Sequence, residues 1–228
     1  MGLAAAGIVA AAGVAAQDFR GAELSVEGLH FSDGDGLGQS NYQGGLEFGA
    51  VGPVAVAADL SFYDYAEQDS SRALTLHAVV EAFGFATLGG FYAREDNDVA
   101  HASTLGLEAR RDFGVVGVEG YLGFADDDTR LLGVDGRFGV TPTIGVTGSG
   151  ALVDLDGYGI SRIAAGGEYR FRGTGPTLYA EIGRVDGDDL ASLDTSGTFV
   201  GIGARIAVGR ADGTTFRPRG VVEAISGF

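Results

Sequence analysis

The stretch Tyr42-Gln43-Gly44-Gly45-Leu46-Glu47-Phe48 decides the fold, together with Val54-Ala55-Val56-Ala57-Ala58-Asp59-Leu60-Ser61-Phe62 beyond the Gly52-Pro53 turn. In the first, Tyr42, Leu46 and Phe48 share one parity, while Gln43, Gly45 and Glu47 share the other. The second repeats the pattern. Period two belongs to strands, whose successive side chains point to opposite faces. A charge recurs on the minor face in segment after segment. That face is therefore expected to be wet, and the apolar face to meet something other than water, as in a transmembrane β-barrel.

Composition narrows the choice. The 228 residues suffice for one barrel, and 41 glycines with only 4 prolines fit neither collagen nor Pro-rich disorder. Beyond the N-terminus no apolar run approaches the length of a membrane-crossing helix. Absence of cysteine excludes a disulfide framework and thiolate metal sites. A net charge of −16 argues against nucleic-acid binding, which requires a basic footprint. Residues 1–16 form an apolar run of small residues ending Val14-Ala15-Ala16. They read as a signal peptide that lacks the usual basic n-region.

Twelve strands can be laid down between residues 17 and 208. In the first, Ala22, Leu24 and Val26 alternate with Glu23, Ser25 and Glu27. In the fourth, Leu74, Leu76, Ala78 and Val80 alternate with Thr75, His77, Val79 and Glu81. In the twelfth, Val200, Ile202, Ala204 and Ile206 alternate with Gly201, Gly203 and Arg205. The fifth is ambiguous because Phe91 and Tyr92 are adjacent. Connectors after even-numbered strands read as short, for example Gly52-Pro53 and Thr141-Pro142. Those after odd-numbered strands read as long, such as Ser32 to Asn41 and Val153 to Gly157. Short periplasmic turns opposite longer outer loops are a barrel property. Aromatic residues fall near both ends of the strands, as expected of rings at two membrane interfaces.

On these features the chain resembles the small bacterial outer-membrane β-barrel proteins, the porin-like class. The resemblance implies a Gram-negative outer membrane with both chain ends periplasmic. It also implies lipid and lipopolysaccharide as surroundings and no cofactor. The terminal Phe228 is similar to the aromatic that ends the last strand in that class. Here, however, Arg217-Pro218-Arg219 interrupts any strand leading to it, so residues 209–228 are expected to form a periplasmic tail.

The candidate pore-lining set is Glu23, Glu27, Glu47, Asp59, His77, Glu81, Glu108, Arg110, Glu119, Asp135, Arg137, Glu168, Glu181 and Arg205. Rings of side-chain charge set pore selectivity, and the acidic excess favours cations. The same charges could instead close the lumen by pairing with one another. A passive channel for small polar solutes or ions is one expectation. A structural or adhesive barrel with a plugged lumen, acting through acidic loops, is the other. The loop acids include Asp33, Asp35, Asp64, Glu67, Asp69, Glu95, Asp96, Asp98, Asp154 and Asp186.

Other chemistry finds little support. Asp33-Gly34-Asp35-Gly36 and Asp154-Leu155-Asp156-Gly157 lack the glutamate that an EF-hand needs at its twelfth position, held here by Gly44 and Ala165. Arg72, Arg94, Arg130, Arg162 and Arg184 are expected near the outer rim, paired with loop acids or gripping lipopolysaccharide phosphates. His30-Phe31-Ser32 places a histidine and a serine on one strand face. Catalysis would need the serine hydroxyl within reach of the imidazole and a third group to orient it. In the barrel hydrolases that the motif resembles, the pair sits late in the barrel and not on the first strand, so no catalytic or metal residue is expected. Oligomeric state stays open.

Overall fold

A computed structural model describes residues 18–32, 38–65, 70–82, 84, 86–96, 101–126, 128–155, 157–172, 175–187, 197–209 and 213–226. The wall consists of β1 (Phe19–Phe31), β2 (Gly38–Gly49), β3 (Val54–Tyr65), β4 (Ser71–Ala82), β5 (Ala86–Asp96) and β6 (His101–Phe113). It continues through β7 (Val116–Ala125), β8 (Arg130–Gly139), β9 (Ile144–Leu155), β10 (Tyr158–Arg170), β11 (Thr177–Gly187) and β12 (Gly197–Gly209). Each strand pairs antiparallel with its sequence neighbours. β1 closes the barrel on β12, with Gly21 opposite Gly209 and Phe31 opposite Phe199. Closure leaves no strand edge to satisfy.

The alternation read from the sequence holds around the wall. Leu24, Leu46, Leu60, Leu105, Ile163 and Ile202 are all about half exposed or more and point outward. Such a belt is stable only where the surroundings are apolar. On the opposite parity, Glu27, Glu47, Asp59, His77, Glu108 and Glu181 are buried inside the barrel. In β5, Phe91 faces in and Tyr92 faces out.

Two expectations need correction. The contrast between short turns and long loops is weaker than the sequence suggested. β9 continues to Leu155 and β10 starts at Tyr158, where a long loop was expected. The ladder outruns the apolar stripe there because Asp154 Oδ1 accepts the Gly157 N–H at 3.0 Å and closes a tight hairpin. At the near end β1 begins and β12 ends; the far end carries the β1–β2 and β5–β6 connections.

The second correction concerns the supposed tail. Residues 213–226 turn back into the lumen and run from the near end toward the far end, finishing in helix α1 (Val221–Ser226). Gly209 and Gly213 have φ of 85° and 81°, the left-handed region that glycine adopts without penalty. A Cβ on Gly213 would also meet Glu23 Cβ at 2.9 Å. The physical reason for the return is complementarity. Inside lie the acids that face Arg217 and Arg219, Glu119 and Asp135 among them, and an apolar patch for α1.

Residues 1–16 and Phe228 lie outside the described residues, as do Asp33, Asp35, Glu67, Asp69 and Asp98 among the loop acids.

Candidate functional site

The lumen is polar along most of its length and carries one apolar patch toward the far end. Toward the far end, Leu29, Phe91, Tyr121, Leu131, Val153 and Phe199 form one buried cluster. The helix α1 lays Val221, Ala224 and Ile225 against it, on the β8–β10 side. Burying these groups favours docking by the hydrophobic effect. The carboxylate of Glu95, expected in an outer loop, faces inward and caps α1. It accepts Val221 N–H at 2.7 Å and Val222 N–H at 2.8 Å, groups that no helix can satisfy internally.

Below the helix the segment is held by the wall's acids. Thr215 donates its backbone N–H and its hydroxyl to Glu47, at 2.7 and 3.0 Å. Phe216 stacks on the His77 ring, with centroids 6.2 Å apart. It fits because residue 89 is glycine; a Cβ there would meet Phe216 Cε2 at 2.7 Å. Arg219 donates to Glu108 at 3.3 Å and to Glu119, and lies 4.0 Å from Asp135. Its guanidinium covers the Tyr121 ring at 4.3 Å from the centroid. Glu223 accepts from Tyr63 and, at 2.8 Å, from Gln43. Burial pushes the Glu223 carboxyl up to about 7, against the lowering effect of those two hydrogen bonds.

The fourteen expected pore-lining residues all lie on the inward parity, where most pair with wall or segment groups. Glu23 sits 4.0 Å from Arg205, and Arg205 reaches Glu168 at 3.7 Å. Arg137 donates to Glu168 as well. Glu27 accepts from Asn41 at 3.4 Å. His77 lies between Asp59 and Glu108, at 3.0 and 2.6 Å from its two ring nitrogens. Glu81 meets Arg20 at 3.1 Å. Arg110 donates to the Thr215 carbonyl at 3.1 Å. Glu181 binds Arg162 at 2.5 Å.

Arg162 is thus not a rim residue. It is buried and lies over the Phe199 ring at 4.8 Å. Its place in the alternation, two residues from Ala164 on the inward parity, was the signal. Arg94 and Arg184 do sit at the exposed rim and pair with Asp96 and Asp186. His30 faces outward, and the Ser32 hydroxyl is given to the Thr198 carbonyl at 3.2 Å.

Space remains beside the segment. A cavity of about 200 Å³ at the near end is lined by Arg110, Glu119, Asp135, Arg137, Arg205 and Arg217. Two smaller ones, about 30 and 20 Å³, continue along the wall, and Arg217 borders all three.

No family model matches the chain, and no curated protein does. Solved structures do match. The NanC porin aligns with a TM-score of 0.64 at 10% identity, covering 80% of this chain and 98% of its own. The KdgM porin aligns at 0.62 and 7% identity, covering 81% and 98%. Outer membrane phospholipase A from Escherichia coli aligns at 0.57 and 13% identity, covering 81% and 89%. At such identities the likeness concerns the fold, which these porins share with an enzyme. The chain has the closed twelve-stranded barrel architecture of small outer-membrane, porin-like proteins.

Proposed function

We propose that this protein is an outer-membrane, porin-like channel for small polar solutes or ions, with a cation preference. In the state described, the segment 213–226 closes it. The observation that carries this reading is a division of labour. All hydrogen-bond ladders of the wall, including the β1–β12 closure, are complete without the segment. The segment nonetheless fills a lumen whose wall is lined with charge. A wall that stands by itself and a filling tied to it by side chains are the parts of a conduit and its stopper. Acids dominate the inward set, so an emptied lumen favours cations. No covalent chemistry is required.

A second reading has its own support. The apolar cluster around α1 packs the far end of the lumen, and the Glu95 carboxylate ties the helix to the wall there. Such a permanently filled barrel would serve as a structural or adhesive scaffold.

Planar-bilayer recording separates the two. Wild type is expected to be closed most of the time. The Arg217→Ala/Arg219→Ala variant is expected to conduct, with K⁺ favoured over Cl⁻. Absence of current at any voltage in both proteins would remove the channel reading and leave the scaffold.

A further inference from the structure

The environment of Arg219 is more specific than a plug requires. Three carboxylates surround the guanidinium, from Glu108 and Glu119 in direct contact to Asp135 at 4.0 Å. Beneath it lies the face of Tyr121. Carboxylates in the plane of a guanidinium and a ring under its face are the two features that distinguish guanidinium from ammonium recognition. The acids are spread around a planar group. They do not converge on a point, and among the described residues no cluster of ligating side chains fits a metal ion.

The wall supplies every one of these groups. β6 gives Glu108, β7 gives Glu119 and Tyr121, and β8 gives Asp135. The pairings Glu108↔Tyr121 and Glu119↔Asp135 fix their spacing through the sheet itself. The sheet therefore fixes the positions of these four residues independently of Arg219. Glu119 and Asp135 also line the near-end cavity of about 200 Å³, so the cage is adjacent to open space.

We propose that Glu108, Glu119, Tyr121 and Asp135 form a binding site for guanidinium-bearing solutes, and that Arg219 is its tethered occupant. A solute carrying this group competes with Arg219 and loosens the segment. The inference rests on the reading of the lumen as a conduit that the segment closes, and it names the solute class that such a conduit would select.

Calorimetry on the purified full chain in detergent tests binding without requiring current. Methylguanidinium is the probe and methylammonium the control. Arg219→Ala is expected to bind methylguanidinium at least roughly tenfold more tightly than wild type does, and roughly tenfold more tightly than it binds methylammonium. Adding Glu119→Gln should remove that binding. A closed barrel of Arg219→Ala, shown by heat-dependent gel migration, that takes up neither probe would overturn the proposal. Equal binding of both probes would do the same.

Wild type supplies a measurement that needs no variant. Methylguanidinium should accelerate hydrogen exchange at the Arg219 and Val222 amides several-fold, and unchanged exchange would count against competition. Binding without bilayer current would end the channel reading and leave the site standing. Current without binding would do the reverse.

Discussion

Thr75 and Arg219 hold one another twice. The Thr75 hydroxyl donates to the Arg219 carbonyl at 2.9 Å and accepts the Arg219 N–H at 3.2 Å. A single side chain of β4 thus satisfies both backbone groups of one lumen residue, as a neighbouring strand would. Thr75→Val keeps the shape and removes both bonds, leaving a buried donor and acceptor. The expected cost to docking is about 1–3 kcal/mol. Hydrogen exchange at Arg219 should quicken while the β4 amides keep their protection; loss of protection in β4 would show that Thr75 serves the wall.

Gly89 is where the wall makes room for an apolar side chain of the segment. A side chain there meets Phe216 Cε2 and Glu108 Oε1, both at 2.7 Å. Gly89→Val is expected to displace Phe216 and raise the time-averaged conductance several-fold, with the strand ladder intact. Phe216→Ala removes the same stacking partner of His77 and should act in the same direction. A conductance unchanged in both variants would separate Phe216 from closure.

Glu223 makes docking depend on pH, and the sign follows from its environment. Burial raises the docked carboxyl to about 7, against 4.5 for the ordinary group. Below about pH 4.5 both docked and released forms are protonated. Between 4.5 and 7 docking takes up a proton, so docking weakens as pH rises through this window and levels off above it. Tyr63 and Gln43 face the group from β3 and β2, and Arg217 and Arg219 act on it from its own segment. Glu27 of β1 and Arg162 and Asp135 of the β8–β10 wall lie on its other side. Acidification from pH 8 to 5 should reduce conductance, by at most about tenfold per pH unit from this group. Glu223→Gln should flatten that component of the profile; a profile identical to wild type would place the titration elsewhere.

The Arg162–Glu181 pair tests what holds the wall together, because both partners belong to it. Both side chains are buried, with 2.5 Å between Nη2 and Oε1. Arg162→Ala leaves a carboxylate without its cation in an enclosed space, a change that costs about 3–5 kcal/mol. The midpoint of urea unfolding in lipid or detergent should fall accordingly. Arg162→Met/Glu181→Leu should recover most of the loss, because the pair's removal as a unit leaves no uncompensated charge.

The wall was legible in the sequence because period two is a local property. Glu47 and Asp59 declare their side through their immediate neighbours, and so does every inward residue in the candidate set. Arg162 shows how the rule is lost: judged by nearness to a loop it falls at the rim, judged by parity it falls inside. The filled lumen was harder. Arg217-Pro218-Arg219 does break a strand, as expected, and that disruption conceals a different use for the residues. What pulls Arg219 inward is a set of acids contributed by β6, β7 and β8, which no window along the chain brings together. The excess of inward acids over inward arginines was the available hint, since buried carboxylates require partners from somewhere. Val221, Ala224 and Ile225 gave a second, because their spacing fits one side of a short helix and no strand.

The position of the lumen segment in the chain has a consequence for how the molecule is made. It follows β12, whose pairing with β1 completes the ring. Every stave precedes the bung in the chain, and the hydrogen bonds of the ring need nothing from it. The cask can therefore be hooped while its interior still holds water, with Glu47, Glu108 and Glu119 meeting Thr215 and Arg219 only afterwards. Construction and closure become separate events, and a cell that interrupts the second still keeps the product of the first.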